Sequence, residues 1–156
     1  MEIGEVGLEL IKEFEDIKLK AYQDIAGVWT IGYGTTRLDN KEIESGMTCA
    51  LAQAEQWLRD DVNETAIWVA RYLSGVELTQ YEFDAMCCMT YNIGKNGFFI
   101  STLRSRVLNK MPVLEKHFTM WNKARVNGVL TEVAGLTRRR KAEFHLYSTG
   151  TVKTTF

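Results

Sequence analysis

Apolar and polar positions recur with two different periods along this chain, and the change of period marks its organisation. Over residues 3–14 the period is helical. Ile3, Val6, Gly7, Leu10, Ile11 and Phe14 fall on one side of a helical wheel, and Glu5, Glu9, Lys12 and Glu13 on the other. Glu15 breaks the pattern, projecting beside the apolar stripe between Leu8 and Ile11. A carboxyl on the margin of a buried face is costly unless it is protonated, paired or useful. Between Leu19 and Thr36 the period drops to two: Trp29, Ile31 and Tyr33 alternate with Val28, Thr30, Gly32 and Gly34. With Gly27 as the turn residue, this predicts a β-hairpin. A turn centred near Gly27 sets Asp24 across from Thr30, their Cβ atoms ~5 Å apart. Trp29 and Ile31 then take the opposite face and anchor the hairpin on the core.

Helical spacing returns over about 48–73, where Leu51, Ala54, Leu58 and Val62 form the stripe. Thr79 with Glu82 is a capping box that opens a helix through Ala85 to Tyr91, and Asn92-Ile93-Gly94 supplies its stop. Ser101-Thr102 caps a helix through Leu103, Val107 and Leu108, and Pro112 suits the first turn of the next. The last strong helix runs from about Leu136 to Tyr147, before Gly150; Thr151 to Phe156 have no period. The expected class is α+β and mainly helical, one domain over 1–156 with a single hairpin. A small N-terminal lobe (about 1–50) is joined by the 48–73 helix to a helical C-terminal lobe (about 74–150). Two lobes on a shared helix leave a cleft, where substrate sites commonly lie.

Composition narrows the function classes. The chain has 156 residues, 46% hydrophobic, with 20 acidic against 19 basic side chains, which excludes a disordered chain. One proline excludes a collagen-like or Pro-rich protein. No run approaches the ~18 uncharged apolar residues of a membrane span. Met1-Glu2-Ile3-Gly4-Glu5 carries acids where a signal peptide carries bases, which predicts a protein made in the cytoplasm without signal peptide or anchor. Cys49, Cys87 and Cys88 read as small buried hydrophobes rather than a disulfide set. With His117 and His145 as the only histidines and no paired Cys-x-x-Cys, no zinc site is offered. Trp57, Trp68 and Trp121 fall at core-like positions. The run Arg138-Arg139-Arg140-Lys141 reads as a solvated helix face paired with acids such as Glu143, with contact to an anionic partner as the alternative. The balanced charge argues against nucleic acid as a partner.

Glu15, Asp24 and Thr30 are the candidates for chemistry. Two carboxyl groups in different surroundings are the minimum kit for cleaving a glycosidic bond. One must hold a proton for the leaving oxygen; the other must be ionised to activate water. Apolar neighbours favour Glu15 as the proton holder, and the polar hairpin face favours Asp24 as the ionised partner. The Thr30 hydroxyl can donate to Asp24 or hold a water. Spacing alone leaves the ordinary roles open: a helix-end salt bridge for Glu15, a turn for Asp24 and a strand position for Thr30.

The segments Gly7-Leu8-Glu9-Leu10-Ile11-Lys12-Glu13-Phe14-Glu15, Leu19-Lys20-Ala21-Tyr22-Gln23-Asp24 and Gly27-Val28-Trp29-Thr30-Ile31-Gly32-Tyr33-Gly34 resemble the signature of bacteriophage-type lysozymes, glycoside hydrolase family 24. That signature is a Glu, eight residues, an Asp, five residues and a Thr, which Glu15, Asp24 and Thr30 match. Leu78 to Ala85 with Tyr91-Asn92-Ile93-Gly94, Phe98 to Leu103, Trp121 to Ala124, and Gly135 to Arg140 with Glu143 resemble its later blocks in order. The chain departs from the pattern at Asp16, where the family has Gly, and at Thr35, where it has His. Asp tolerates a left-handed helix end better than most residues. Thr cannot carry a proton or a positive charge. The resemblance implies a lysozyme-like fold and inverting hydrolysis of the β-1,4 bond between N-acetylmuramic acid and N-acetylglucosamine, with no metal or organic cofactor required. Glu15 is then the acid, with Asp24 and Thr30 handling the water. Inversion implies carboxyls ~6.5–9.5 Å apart. Thr35, and Phe98 or Phe99 after Gly97, are the expected substrate contacts. The implied partners are peptidoglycan glycan strands, reached through a holin-type membrane lesion, and the implied state is a monomer. A wall-binding protein with weakened catalysis and a transglycosylase using the same cleft are the rival readings.

Overall fold

A computed structural model describes residues 1–156. Seven helices and three two-stranded antiparallel hairpins follow one another along the chain. Helix α1 (Glu5–Phe14) leads into the hairpin β1 (Lys18–Gln23) and β2 (Trp29–Gly32), followed by the short pair β3 (Arg37–Leu38) and β4 (Lys41–Glu42). The long helix α2 (Leu51–Tyr72) comes next, then α3 (Gln80–Ile93), α4 (Lys95–Ile100), α5 (Thr102–Leu108) and α6 (Lys116–Thr119). A third hairpin, β5 (Lys123–Val126) and β6 (Val129–Glu132), precedes α7 (Ala134–Thr149).

The N-terminal stripe is rotated slightly from its expected position. Leu8 is buried and Val6 exposed, because Ile3, Gly7, Leu10 and Ile11 press α1 onto α3. At the centre lies α3, packed against α1, α2, α4 and α7, and every residue from Phe83 to Thr90 is buried. Its N-terminus is closed by the expected box: the Thr79 hydroxyl accepts from Glu82 N–H, and the Glu82 carboxylate accepts from Thr79 N–H at 2.8 Å. Cys87 and Cys88 are buried within it as small apolar fillers, and Cys49 is half-buried. Ser101 caps α5 by accepting from Arg104 N–H. Pro112 begins no helix. It lies in an irregular stretch before α6, its carbonyl taken by Arg106 Nε, so the turn forms later than expected.

Two apolar clusters result. The larger gathers α1, α2, α3 and α7 around Phe83, Met86, Met89, Phe98 and Leu146. The smaller consists of Ala21, Ile31 and Ile43, with Trp29 and Trp57 against it. Helix α2 touches both, presenting Trp57 to the small cluster and Leu58, Val62 and Ala66 to the large one. Leu51, expected in its stripe, is exposed. The C-terminal residues stay irregular yet are tied down, Val152 on the large cluster and Phe156 edge-on to His145.

Candidate active site

The first hairpin carries two of the three expected residues, two residues out of their expected pairing. Tyr22 is opposite Thr30 and Gln23 opposite Trp29, and Asp24 N–H donates to the Val28 carbonyl. Asp24 therefore faces Val28, and Thr30 lies diagonally from it, ~7–8 Å away on ordinary sheet geometry. Side chains alternate with a period of two, so this shift leaves Asp24 and Thr30 on one face and Trp29 and Ile31 on the other. The tight turn explains the shift. Asp24 Oδ1 accepts from Ala26 N–H and Val28 N–H, both at 2.9 Å, and Gly27 takes a positive φ of 78°. An Asx turn of this kind draws the hairpin closed one residue earlier. It also fixes the carboxylate while leaving Oδ2 without a protein hydrogen bond. The Thr30 hydroxyl donates to the Val28 carbonyl at 3.0 Å rather than to Asp24.

Glu15 ends α1. Its N–H donates to the Ile11 carbonyl, and its backbone is extended (φ −104°, ψ 126°). The chain leaves the helix at Glu15 itself, so Asp16 needs no left-handed conformation. Nor is the Glu15 side chain dry. It is 28% exposed, and Oε1 accepts from Arg139 Nη1 of α7 at 2.8 Å. The expectation that apolar neighbours keep this carboxyl protonated gives way to an ion pair.

The arginine run is a solvated face only in part, with Arg138 exposed and Lys141 half-buried. Arg139 and Arg140 are buried, both paired with Glu143, which is fully buried. Sequence spacing did find the Glu143 pairing. It missed the burial, because a run of four cations on a helix carries no sign of which face turns inward. Phe14 lies between Arg138 and Arg139, whose guanidinium carbons stand 5.6 and 5.7 Å from its ring centre.

Two further side chains join the neighbourhood. Burial pushes the Tyr91 phenol up to about 12, and the charges of Asp61 and Glu15 add to this while Arg139 opposes it. Burial also pushes Asp61 of α2 up to about 6, with Glu64 and Asp60 adding to the rise and Thr35 opposing it. Thr35 is buried, not a free substrate contact. Its hydroxyl donates to Asp61 Oδ2 at 3.4 Å, and its backbone pairs in both directions with Ile31. Asp61, Tyr91, Trp68 and Lys95 line a recess of about 230 Å³. Phe98 is fully buried and offers no ring face to a sugar. Phe99 is 48% exposed but packed on Tyr72 at 5.0 Å, with the Arg104 guanidinium over its ring. Trp68 is half-buried, its ring covered by Lys95 Nζ at 3.9 Å and by Arg71. His117 is buried and its Nδ1 accepts from Leu114 N–H, which makes it a loop clasp.

Residues 12–143 match the family described as phage lysozyme. The chain is 39% identical over 148 residues to an endolysin of Acyrthosiphon pisum secondary endosymbiont phage 1, covering 94% of this chain and 98% of that one. It is 36% identical over 129 residues to the endolysin of Salmonella phage P22, covering 80% and 86%. Among solved structures it is similar to an endolysin from Escherichia coli O157:H7 phage FAHEc1, with a TM-score of 0.91 at 38% identity over 98% of this chain and 97% of that one.

Proposed function

This chain belongs to the phage lysozyme family, and from that premise we propose how it carries out the family's reaction. It is a peptidoglycan-hydrolysing muramidase of phage lysis. Glu15 gives its proton to the glycosidic oxygen as the bond from that oxygen to the muramic acid C1 breaks. Asp24, with Thr30 on the same hairpin face, orients a water on the other face of the sugar and takes one of its protons as the new C1–O bond forms. The product is a reducing end of inverted configuration; Asp24 then releases its proton to solvent, and Glu15 takes one back. The observation that carries this reading is the contrast between the two carboxyls. Asp24 is exposed, clamped through Oδ1 by two turn amides and open at Oδ2, whereas Glu15 is drawn inward against Arg139. The two N–H donors fix the Asp24 carboxylate in place and leave its second oxygen open to a water, as a water-activating base requires.

Substrate lies between the hairpin and the helical part of the chain, along the line from Glu15 through Tyr91 to Asp61. The protein works as a monomer and meets the wall through a holin-type lesion; no helix is long and apolar enough to cross a membrane. Turbidity clearing of permeabilised bacteria, with mass analysis of the released fragments, tests the assignment. Glu15→Gln is expected to lower clearing by roughly 10³-fold, in the range lost with a general acid, without loss of fold. The wild-type fragments are expected to carry reducing ends. Anhydro ends mean transglycosylation, and an active Glu15→Gln removes Glu15 from the role of acid.

A further inference from the structure

Charge and exposed apolar surface are spread unevenly over this molecule. Between Lys95 and Glu132, from the start of α4 to the end of β6, stand seven of the 19 basic side chains but only two of the 20 acidic ones, Glu115 and Glu132. The rest of the chain is left with 12 basic against 18 acidic. None of the seven cations is in an ion pair, since every ion pair joins residues outside this stretch. Eight of the 18 large apolar side chains exposed to solvent lie in the same stretch, so apolar surface and positive charge coincide.

They meet at one groove. Ile100 ending α4, Thr102 starting α5, Met120 and Trp121 after α6, and Lys123 and Leu130 of the third hairpin enclose about 450 Å³. Arg125 is opposite Leu130 in the ladder and shares that wall of the groove. Val126 pairs with Val129 on the other face, beside the Asn127-Gly128 turn. Ile100 is 76% exposed, Val129 64% and Leu130 61%. The hairpin is tied at its base, where Val133 N–H donates to the Asn122 carbonyl at 2.9 Å, and only Ala124 of its strands is partly buried. Folding explains part of this. β-Branched side chains favour extended backbone, which accounts for Val126 and Val129. Leu130 and Ile100 gain nothing of that kind and stay mostly in water. An apolar patch rimmed by polar groups marks a contact with another body.

We propose that this surface docks on an anionic phospholipid bilayer, with the hairpin tip and groove rim in the headgroup region and Lys123 and Arg125 on the lipid phosphates. The surface calls for an apolar phase and a negative charge together, and such a bilayer supplies both. The long stems of Lys123 and Arg125 can lie along the apolar rim while their charged ends reach the phosphates. A second copy of the chain supplies apolar surface but sets like charges face to face. A glycan strand supplies no apolar phase. The inference goes beyond the muramidase reading and uses neither Glu15 nor Asp24; the groove shares no residue with the recess beside Asp61.

Co-sedimentation with vesicles tests it on the whole chain. Wild-type protein is expected to bind vesicles of phosphatidylglycerol with phosphatidylcholine, and to bind phosphatidylcholine alone about tenfold or more weakly. Val129→Ser with Leu130→Ser is expected to weaken binding to the mixed vesicles by about tenfold or more. Lys123→Gln with Arg125→Gln is expected to lose a similar factor and to flatten the salt dependence. Both variants are expected to keep wild-type clearing of lipid-free peptidoglycan and wild-type denaturant midpoints, because the altered side chains are exposed. Equal binding to the two kinds of vesicle overturns the proposal, and so does undiminished binding by Val129→Ser with Leu130→Ser. Weaker binding of the variants to lipid-free peptidoglycan assigns the surface to the wall, and a wild-type dimer that they abolish assigns it to a second copy; either overturns the proposal. If the variants do not fold, hydrogen exchange of the wild type decides. The amides of 124–131 are expected to slow on the mixed vesicles, and unchanged exchange there overturns the proposal equally.

Discussion

Asp61 answers pH through stability rather than through the reaction. Its carboxyl is drawn up to about 6, first by burial and then by Glu64 and Asp60 on the same helix. A folded-state value above the unfolded one means that the folded chain binds the extra proton, so the contribution is fully present below about pH 4 and is lost as pH rises through about 6. Asp61→Asn removes this dependence while keeping an oxygen for the Thr35 hydroxyl. Denaturant midpoints measured between pH 4 and 7 are expected to fall less steeply in the variant, by about 1 kcal/mol over the range once solvent screening of a half-exposed group is allowed for. Nothing in the sequence marks Asp61, one of several acids on α2. Glu15, Asp24 and Thr30 were legible because local pattern breaks and a spaced signature name them. Arg139 reaches Glu15, and Asp61 reaches Thr35, across long stretches of chain, which spacing does not encode.

Elements whose signals are local are the ones the sequence reveals. Thr79 and Glu82 cap α3 within one turn, and the first hairpin follows from its own alternation and turn. The β5–β6 hairpin was missed. All of its residues but one are exposed, and its turn is made by Asn127-Gly128 between strands with no apolar face to bury. Without a buried face, a strand loses the alternation that would betray it. Gly7 is the converse case, a residue seen on the apolar stripe whose reason only packing supplies. Its carbonyl accepts from the Cys88 thiol of α3, and a methyl built on it would stand 2.5 Å from Ile3 Cδ1 and 2.9 Å from Asp84 Cβ. Asp84 cannot retreat, because its carboxylate accepts from Gly4 N–H and from Gln80. Gly7→Ala therefore forces α1 and α3 apart. A loss of about 1–3 kcal/mol in urea unfolding is expected, although alanine is the better helix former.

At the scale of the whole molecule, the two carboxyls stand on parts of very unequal cohesion. Glu15 belongs to the end of α1 and is tied by Arg139 to the large core. Asp24 and Thr30 belong to a hairpin whose own core is Ala21, Ile31 and Ile43 with partly buried neighbours. The hairpin is seated on α2 by Trp57, and the link through Thr35 to Asp61 is one long hydrogen bond. A unit with so few buried apolar side chains opens at a free energy well below that of global unfolding. Native-state hydrogen exchange is expected to show the ladder amides of 22–31 exchanging by local opening about 2–4 kcal/mol below the α3 amides of 84–90. Equal protection in the two segments means that hairpin and helices form one cooperative unit, and the division into lobes on α2 then fails. Unequal cohesion also suits the reaction. In the proposed reaction the acid is held against fixed charges, whereas the surface proposed to bring the water must part from the helical wall far enough for a glycan strand to enter and leave.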